Sequence, residues 1–243
     1  MPENIGKTFL KKTIPKNMPE TDHKKGKDAP PLERPAVNET LSLPDPYAAP
    51  LGALTLDIAI RERETVRKYS DTPLTLEGLS YLLYATQGVR KEGRKATLRT
   101  VPSAGARHAF ETYLLINNVK GLDPGLYRYL ALSHTLEHLA THEKAEAIQE
   151  GCFGQPMISD SAVAFIWVAD SYRMTYRYGE RGYRYLFLDA GHVSQNLYLA
   201  ARYFNMGACA IAAYDDDLVN EAIDVDGEEL FTAYITTIGE KAE

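Results

Sequence analysis

The sequence predicts an α+β domain preceded by an extended segment. Three observations carry this expectation. Residues 125–132 and 135–140 alternate apolar and polar side chains on either side of Ser133-His134, which is the pattern of a hairpin. Residues 162–169, AVAFIWVA, form a near-continuous apolar run, as in a central strand buried on both faces. Leu186, Ala190, Val193, Leu197, Ala200, Ala201 and Phe204 make the longest helical stripe in the chain. No internal repeat is present.

Taken in order, residues 1–50 are rich in Lys, Pro and Glu and poor in apolar runs. Such a stretch cannot offset its ordering entropy by burial alone, so it is expected to be an extended or disordered N-terminal arm. The folded domain is expected at 51–243. Residues 54–63 suit a short helix, with Asp57 early and Arg61 and Arg63 late, complementing the helix dipole. Thr75 is placed to cap a helix through Gln87, with Gly88 as its stop. Residues 91–109 show no periodicity and are expected to form a polar loop. Residues 110–117 suit a strand and 143–151 a short amphipathic helix. After the long helix at 183–204, strands are expected at 208–213 and 230–239, with a helix at 216–223 between them.

Composition narrows the function. With 243 residues and 44% hydrophobic content, the chain can bury a sizeable core. A net charge of -6 argues against a nucleic-acid or anionic-membrane partner. Two cysteines, Cys152 and Cys209, form neither a disulfide scaffold nor a CxxC pair, which fits a reducing cytoplasm. No apolar run approaches the roughly 20 residues of a membrane span, and charge and proline interrupt the N-terminus, so no signal core is expected. Sixteen tyrosines against seven phenylalanines suggest many half-buried rings with a wet end.

Several motifs are rejected. No GxGxxG opens a βαβ unit, no GxSxG elbow is present, and the glycines after position 88 lack a preceding strand and a Lys-Ser/Thr ending. His134-Thr-Leu-Glu137-His138 matches a zinc-protease string, but that chemistry needs both histidines on one helix face. Here the string falls in a hairpin, where exposed histidines are the plainer expectation. Three stretches rise above background. Residues 61–71, RERETVRKYSD, gather Arg61, Arg63, Arg67 and Lys68 with Thr65 and Ser70. Guanidinium forks beside a hydroxyl suit a phosphate, although a solvated basic face with Glu62 and Glu64 as neighbours is the more common fate of such a run. Pro102-Ser103-Ala104-Gly105 makes a tight, small-residue turn that a planar ligand could approach, or an ordinary turn. Residues 207–213, GACAIAA, leave room for a flat ring, or for close helix–strand packing.

Together these pieces resemble the FMN-dependent nitroreductase family and, within it, the SagB-type dehydrogenase branch. The resemblance runs through AIRERETVRKYSDTPLTLEGLSYLLYATQGV, TVPSAGARHAFETYLLINNVKGLDPGLYRY, YGERGYRYLFLDAGHVSQNLYLAARYFNMG and the final TTIGE. It implies an α+β nitroreductase-like three-layer fold, with a mixed, mainly antiparallel sheet flanked by helices. It also implies an obligate homodimer with two FMN sites at the interface. By resemblance, Arg63 and Thr65 hold the FMN phosphate, with Glu64 beside them, and Arg67 reaches the flavin's pyrimidine edge, where positive charge favours the reduced form. Pro102, Ser103, Ala104 and Gly105 match the turn that meets the flavin from the partner subunit. Ala212 and Ala213, following Ile211, stand where the family carries an acidic-Gly pair whose backbone faces flavin N5. Gln195 lies in the helix that marks the branch, and Lys241 is placed to approach the phosphate.

The implied activity is a hydride or electron-pair transfer between a donor, NADH, NADPH or an organic substrate, and an acceptor. Azoline oxidases of the branch use a Lys-Tyr pair ahead of the GERGYR segment. This chain has Arg177-Tyr178, and arginine stays protonated where a base is needed. General flavin redox chemistry on a small-molecule or peptide substrate is therefore expected, with Tyr178 as a proton donor or substrate contact. Azoline-type peptide dehydrogenation is the alternative. A non-catalytic flavin-binding or interaction protein is a further alternative from another class.

Overall fold

The computed structural model describes residues 4–48 and 51–242. Helix α1 (Ile5–Lys12) is capped by Asn4, and a largely extended stretch leads to strand β1 (Thr40–Ser42). Helix α2 (Leu56–Glu62), strand β2 (Leu74–Thr75), helix α3 (Leu76–Gln87) and the strands β3 (Val89–Glu92) and β4 (Thr97–Arg99) come next. Strands β5 (Phe110–Ile116), β6 (Val119–Lys120), β7 (Gly125–Leu130) and β8 (Thr135–Thr141) follow. Helices α4 (Lys144–Gly151) and α5 (Met157–Asp160) precede β9 (Val163–Asp170), α6 (Ser171–Tyr178) and α7 (Gly182–Ala201). Strand β10 (Met206–Ile211), helix α8 (Asp216–Ala222) and strand β11 (Leu230–Glu240) complete the order.

Seven strands form one sheet in the order β1-β8-β7-β5-β9-β11-β10, with every neighbouring pair antiparallel. Among the described residues, parallel pairing is confined to β2–β6 and a bridge between Thr65 and Ala208. The apolar run of β9 lies between β5 and β11, and all eight of its residues are buried. Alternation along it builds both cores. Phe165 and Trp167 face a core with Leu79, Leu82 and Leu83 of α3 and Leu186, Val193 and Leu197 of α7. Ala164, Ile166 and Val168 face Ile148 of α4, Ile158 of α5 and Val219 of α8. Each large apolar side chain so buried contributes about 1.5–3 kcal/mol. The result is the expected three-layer α+β fold. Thr75 caps α3 by accepting the Gly78 N–H at 3.0 Å.

The structure departs from the sequence reading in four places. The first segment is extended over much of its length but carries α1 and contributes β1 to the sheet edge. It is ordered by polar contacts that composition does not display. The N–H groups of Val37 and Asn38 donate to Glu137 at 2.7 and 2.8 Å, that of Arg34 donates to Glu111 at 3.0 Å, and Arg181 donates to the Thr13 carbonyl at 2.8 Å. Ala49 and Pro50, where the arm was expected to end, lie outside the described residues. The loop expected at 91–109 contains most of the β3–β4 hairpin. Helix α6 was missed because its buried face includes Ser171 and Arg173, so no apolar stripe marks it. His134 is not an exposed hairpin histidine: it is half-buried, hydrogen-bonded to Ser80 Oγ and Tyr129 Oη, each at 2.8 Å. Glu137 between it and His138 is fully buried against Arg128 at 2.6 Å.

Candidate active site

Residues 63–70 leave α2 and cross the edge of the sheet beside β10 and the end of β11. Glycine makes this approach possible. A Cβ at Gly207 would lie 2.3 Å from Val66 Cγ2, and one at Gly239 would lie 2.7 Å from the Tyr69 ring. With those side chains absent, the Val66 N–H donates to the Ala208 carbonyl and the Ser70 N–H to the Glu240 carbonyl, each at 2.9 Å. Val66 is buried, while Thr65 and Arg67 on either side are exposed. The Arg63 guanidinium sits 5.6 Å from the centre of the Tyr198 ring on α7. The Tyr198 hydroxyl accepts the Ala210 N–H at 2.8 Å and stands 3.5 Å from Thr65 Oγ1. Tyr198 thus ties the basic segment to both α7 and β10, a role visible in the sequence only as part of the tyrosine excess.

Lys241 is brought to the same place. It bridges to Tyr69, and its Nζ lies 2.8 Å from Glu64 Oε1. The hydrogen bond from Lys241 holds the Glu64 carboxyl below its ordinary value. Among the described residues, neither Arg63 nor Arg67 forms an ion pair. Two unpaired guanidinium groups, a hydroxyl and a nearby ammonium are a donor set that fits a phosphate.

A second cluster lies towards the other end of α7. Ser103, Ala104 and Gly105 form a short turn in which Gly105 has φ +58°. The Ser103 hydroxyl accepts the His108 N–H at 2.9 Å, and the Ala104 N–H donates to Asp189 on α7 at 3.3 Å. Asp189 was not singled out from sequence, because a carboxylate on an apolar helical stripe has no motif of its own. Burial raises its pKa, partly opposed by hydrogen bonds from Ser103 and Ala104. A raised folded-state pKa means that this group's contribution to stability is largest in acid and is lost as pH rises through the folded value. Replacing Asp189 with Asn should therefore flatten the decline of stability above pH 3.8, the ordinary value for Asp, when urea unfolding is followed from pH 4 to 7. A variant with an unchanged profile would rule this out.

Tyr178, at the end of α6, meets this turn directly: a Cβ at Gly105 would lie 2.4 Å from Tyr178 Oη. Its ring packs edge-on against Tyr185 at 4.9 Å, and the Arg177 guanidinium lies 5.7 Å from its centre. Burial, and next the charge of Arg99, push the neighbouring His108 down to about 3, so its imidazole is neutral. Pro102 is exposed at the start of the turn.

The remaining expected residues lie between or beside these clusters. Gln195 is exposed on α7 between Asp189 and Tyr198. Ile211 ends β10, and Ala212 and Ala213 follow it, both exposed. The Ala213 carbonyl accepts from Gln155 at 2.8 Å. Asp189 and Tyr198 are nine residues apart on one helix, which is about 13.5 Å at 1.5 Å per residue. Within one chain, the Thr65 cluster and the Gly105 turn are thus held at separate stations along α7.

An antiparallel sheet sandwiched between helices, with two unpaired guanidinium groups and a hydroxyl at its edge, defines the class of fold, and sequence comparison gives the family. Residues 60–240 match the nitroreductase family, and the chain belongs to it. The protein MJ1384 of Methanocaldococcus jannaschii, provisionally a nitroreductase, is 31% identical over 203 residues, covering 84% of this chain and 97% of its own. The trifolitoxin-processing protein TfxB of Rhizobium leguminosarum bv. trifolii is 27% identical over 194 residues, covering 78% of this chain and 46% of TfxB. A crystal structure from Anabaena variabilis, also provisionally a nitroreductase, superposes with a TM-score of 0.67 at 30% identity, over 77% of this chain and 38% of that one. The chain therefore spans less than half the length of the last two. It is an oxidoreductase of the nitroreductase family. Among the described residues no helix is long and apolar enough to cross a membrane.

Proposed function

We propose that the chain is an FMN-dependent oxidoreductase working in the cytoplasm as a homodimer. The arm, residues 1–50, serves an FMN-binding domain at 51–243. The observation that carries this reading is the pair of unpaired guanidinium groups, Arg63 and Arg67, laid with Thr65 across β10. Arg63 and Thr65 hold the phosphate, and Lys241 adds charge by turning from Glu64. Arg67 places positive charge at the pyrimidine edge, where it favours the more negative redox state. Bound FMN would supply hydride transfer through N5 between a donor, NADH, NADPH or an organic substrate, and an acceptor. Ile211, Ala212, Ala213 and Gln195 line the ring, with backbone N–H groups available past the end of β10. Asp189 keeps the 102–105 turn in place, and Tyr178 gives or takes a proton or contacts substrate.

The clamp of one copy and the turn of its partner would complete each site. The outer face of α7 supports such a pairing. Phe187 is 58% and Leu188 62% exposed, and Leu56 and Ile60 of the neighbouring α2 are also exposed. Apolar surface of this kind on the longest helix calls for a cover, and a second copy supplies one while bringing turn and clamp together. Replacing Leu188 with Asp should halve the mass in sedimentation and weaken FMN binding by at least about tenfold, the equivalent of 1.4 kcal/mol. A dimer of unchanged affinity would contradict the shared site.

FMN uptake tests the reading. Purified protein mixed with FMN should form a yellow complex with one flavin per chain, and NADH or NADPH should bleach it without oxygen. Protein that takes up no FMN would end the reading. A bound flavin that no pyridine nucleotide reduces would favour an organic-substrate dehydrogenase or a flavin-binding role. A second reading, azoline-type dehydrogenation of a peptide, draws support from the likeness to a trifolitoxin-processing protein. Its test is conversion of a thiazoline- or oxazoline-bearing peptide by the yellow protein.

A further inference from the structure

The arm and α6 enclose a two-lobed cleft on the Tyr178 side of the 102–105 turn. The larger lobe is about 750 Å3 and is lined by Pro15, Met18, Pro19, Arg177, Tyr178 and Tyr185 among others. The smaller lobe, about 280 Å3, is lined by Lys27, Lys95, Gly105, Arg107 and Arg177 among others, and the two share Arg177 and His23. The larger volume is in the range of small-molecule sites, roughly 300–1,000 Å3.

The smaller lobe has an unusual charge. Its lining contains four cations besides His23 and no carboxylate, in a chain whose net charge is -6. Lys27 is offset by Asp22 at 2.9 Å, but Lys95, Arg107 and Arg177 form no ion pair among the described residues. The larger lobe's lining includes one carboxylate, Glu20. Both arginines converge on Gly105. Arg107 Nε donates to the Gly105 carbonyl at 3.2 Å, and Arg177 Nε would lie 3.2 Å from a Cβ at that position. Arg107 is only 8% exposed, and after burial the charge of Arg177 is the largest influence lowering its pKa. Two like charges gathered at one half-enclosed place repel each other, and an oxyanion between them would relieve that repulsion through charge-assisted, forked hydrogen bonds.

We propose that Arg107, Arg177 and Lys95 form an oxyanion subsite for the substrate, with the arm as its outer wall. The occupant is an organic molecule with an apolar body in the larger lobe beside Tyr178 and a carboxylate or phosphate in the smaller one. Arg177 then acts as an anchor rather than as a base. The proposal rests on the flavin reading for what happens to that molecule, but binding to the cleft does not require flavin. The oxyanion has two chemical sources, the carboxylate of an acidic substrate and the ribose phosphate of a phosphorylated dinucleotide, and they can be separated.

The test is a chemical-shift titration of the full chain, with and without FMN, using N-acetylphenylalanine, its neutral amide and 2′,5′-ADP as probes. The acid or 2′,5′-ADP should bind at least about tenfold more tightly than the amide, and shift amide resonances of the arm as well as of α6. The exposed substitutions Arg177→Gln and Lys95→Gln should each remove most of that preference, and Arg107→Gln should do the same if it folds. Selectivity for the acid identifies a carboxylate substrate, and selectivity for 2′,5′-ADP a nucleotide phosphate; either supports the subsite. Equal binding of acid and amide together with no response to 2′,5′-ADP, or a preference that survives Arg177→Gln and Lys95→Gln, would overturn it. FMN affinity, measured separately by fluorescence quenching, reports whether the flavin reading stands or falls on its own.

Discussion

Replacing Glu111 with Gln should cost the fold about 3–5 kcal/mol, because it removes one of the carboxylates that buried guanidinium groups share. Glu111 is 2% exposed on β5, with Oε1 accepting from Arg173 Nη2 at 2.6 Å and from the Arg34 N–H at 3.0 Å. Its other oxygen lies 3.9 Å from Arg128, itself paired to Glu137. Arg173 retains Asp170 at 3.3 Å and Arg34 retains it at 3.0 Å, but one carboxylate then serves two guanidinium groups. Arg173 Nε already lacks a hydrogen-bond partner. The same change should loosen the arm, since the Arg34 backbone loses a charged acceptor. Urea unfolding gives the first effect, and limited proteolysis within residues 20–38 the second. A loss below about 1 kcal/mol, the level of an exposed pair, would show that the network is not a buried ionic one.

Replacing Gly207 with Ala should separate the basic segment from β10. The added methyl would lie 2.3 Å from Val66 Cγ2 and 2.6 Å from Val66 Cβ, so a rotamer change alone cannot relieve the clash. Overpacking of this kind costs about 1–3 kcal/mol. Its larger consequence falls on the site, because the Thr65–Ala208 bridge and the Val66 hydrogen bond must break or shift for the chain to move away. FMN affinity should fall by about a hundredfold, near the upper end of what the loss of a single charge-assisted hydrogen bond produces. Equilibrium dialysis measures it; a variant with unchanged affinity would show that the segment's seat on β10 does not matter to binding.

The sequence exposed the elements whose apolar side chains repeat. The stripe on α7, the run through β9 and the β7–β8 hairpin all bury one kind of surface at regular intervals, and each lies close to where periodicity placed it. It hid the elements held by charge. Arg173 faces inward on α6, and Glu111, Arg128 and Glu137 lie beneath the arm, so polarity there marks burial rather than exposure. The clamp residues were legible as residue types, but the reason they sit together was not. That reason is the missing side chains of Gly207 and Gly239, at least 140 residues from any of Arg63, Thr65 or Arg67 in sequence. Tyr198 and Asp189 escaped for a related reason: each takes its role from a partner on another element, Ala210 and Thr65 for one, Ala104 for the other.

In the proposed site, Arg63 and Thr65 grip a phosphate while Arg67 serves the ring. The most direct measurement compares the dissociation constants of FMN and riboflavin for the wild-type chain and for Arg63→Gln and Arg67→Gln. The wild type should favour FMN by a hundredfold or more, on the order of two charge-assisted hydrogen bonds. Arg63→Gln should erase most of that preference, and Arg67→Gln should weaken both ligands while leaving the ratio intact. Equal affinity of the wild type for FMN and riboflavin, or a preference that persists in Arg63→Gln, would contradict the account.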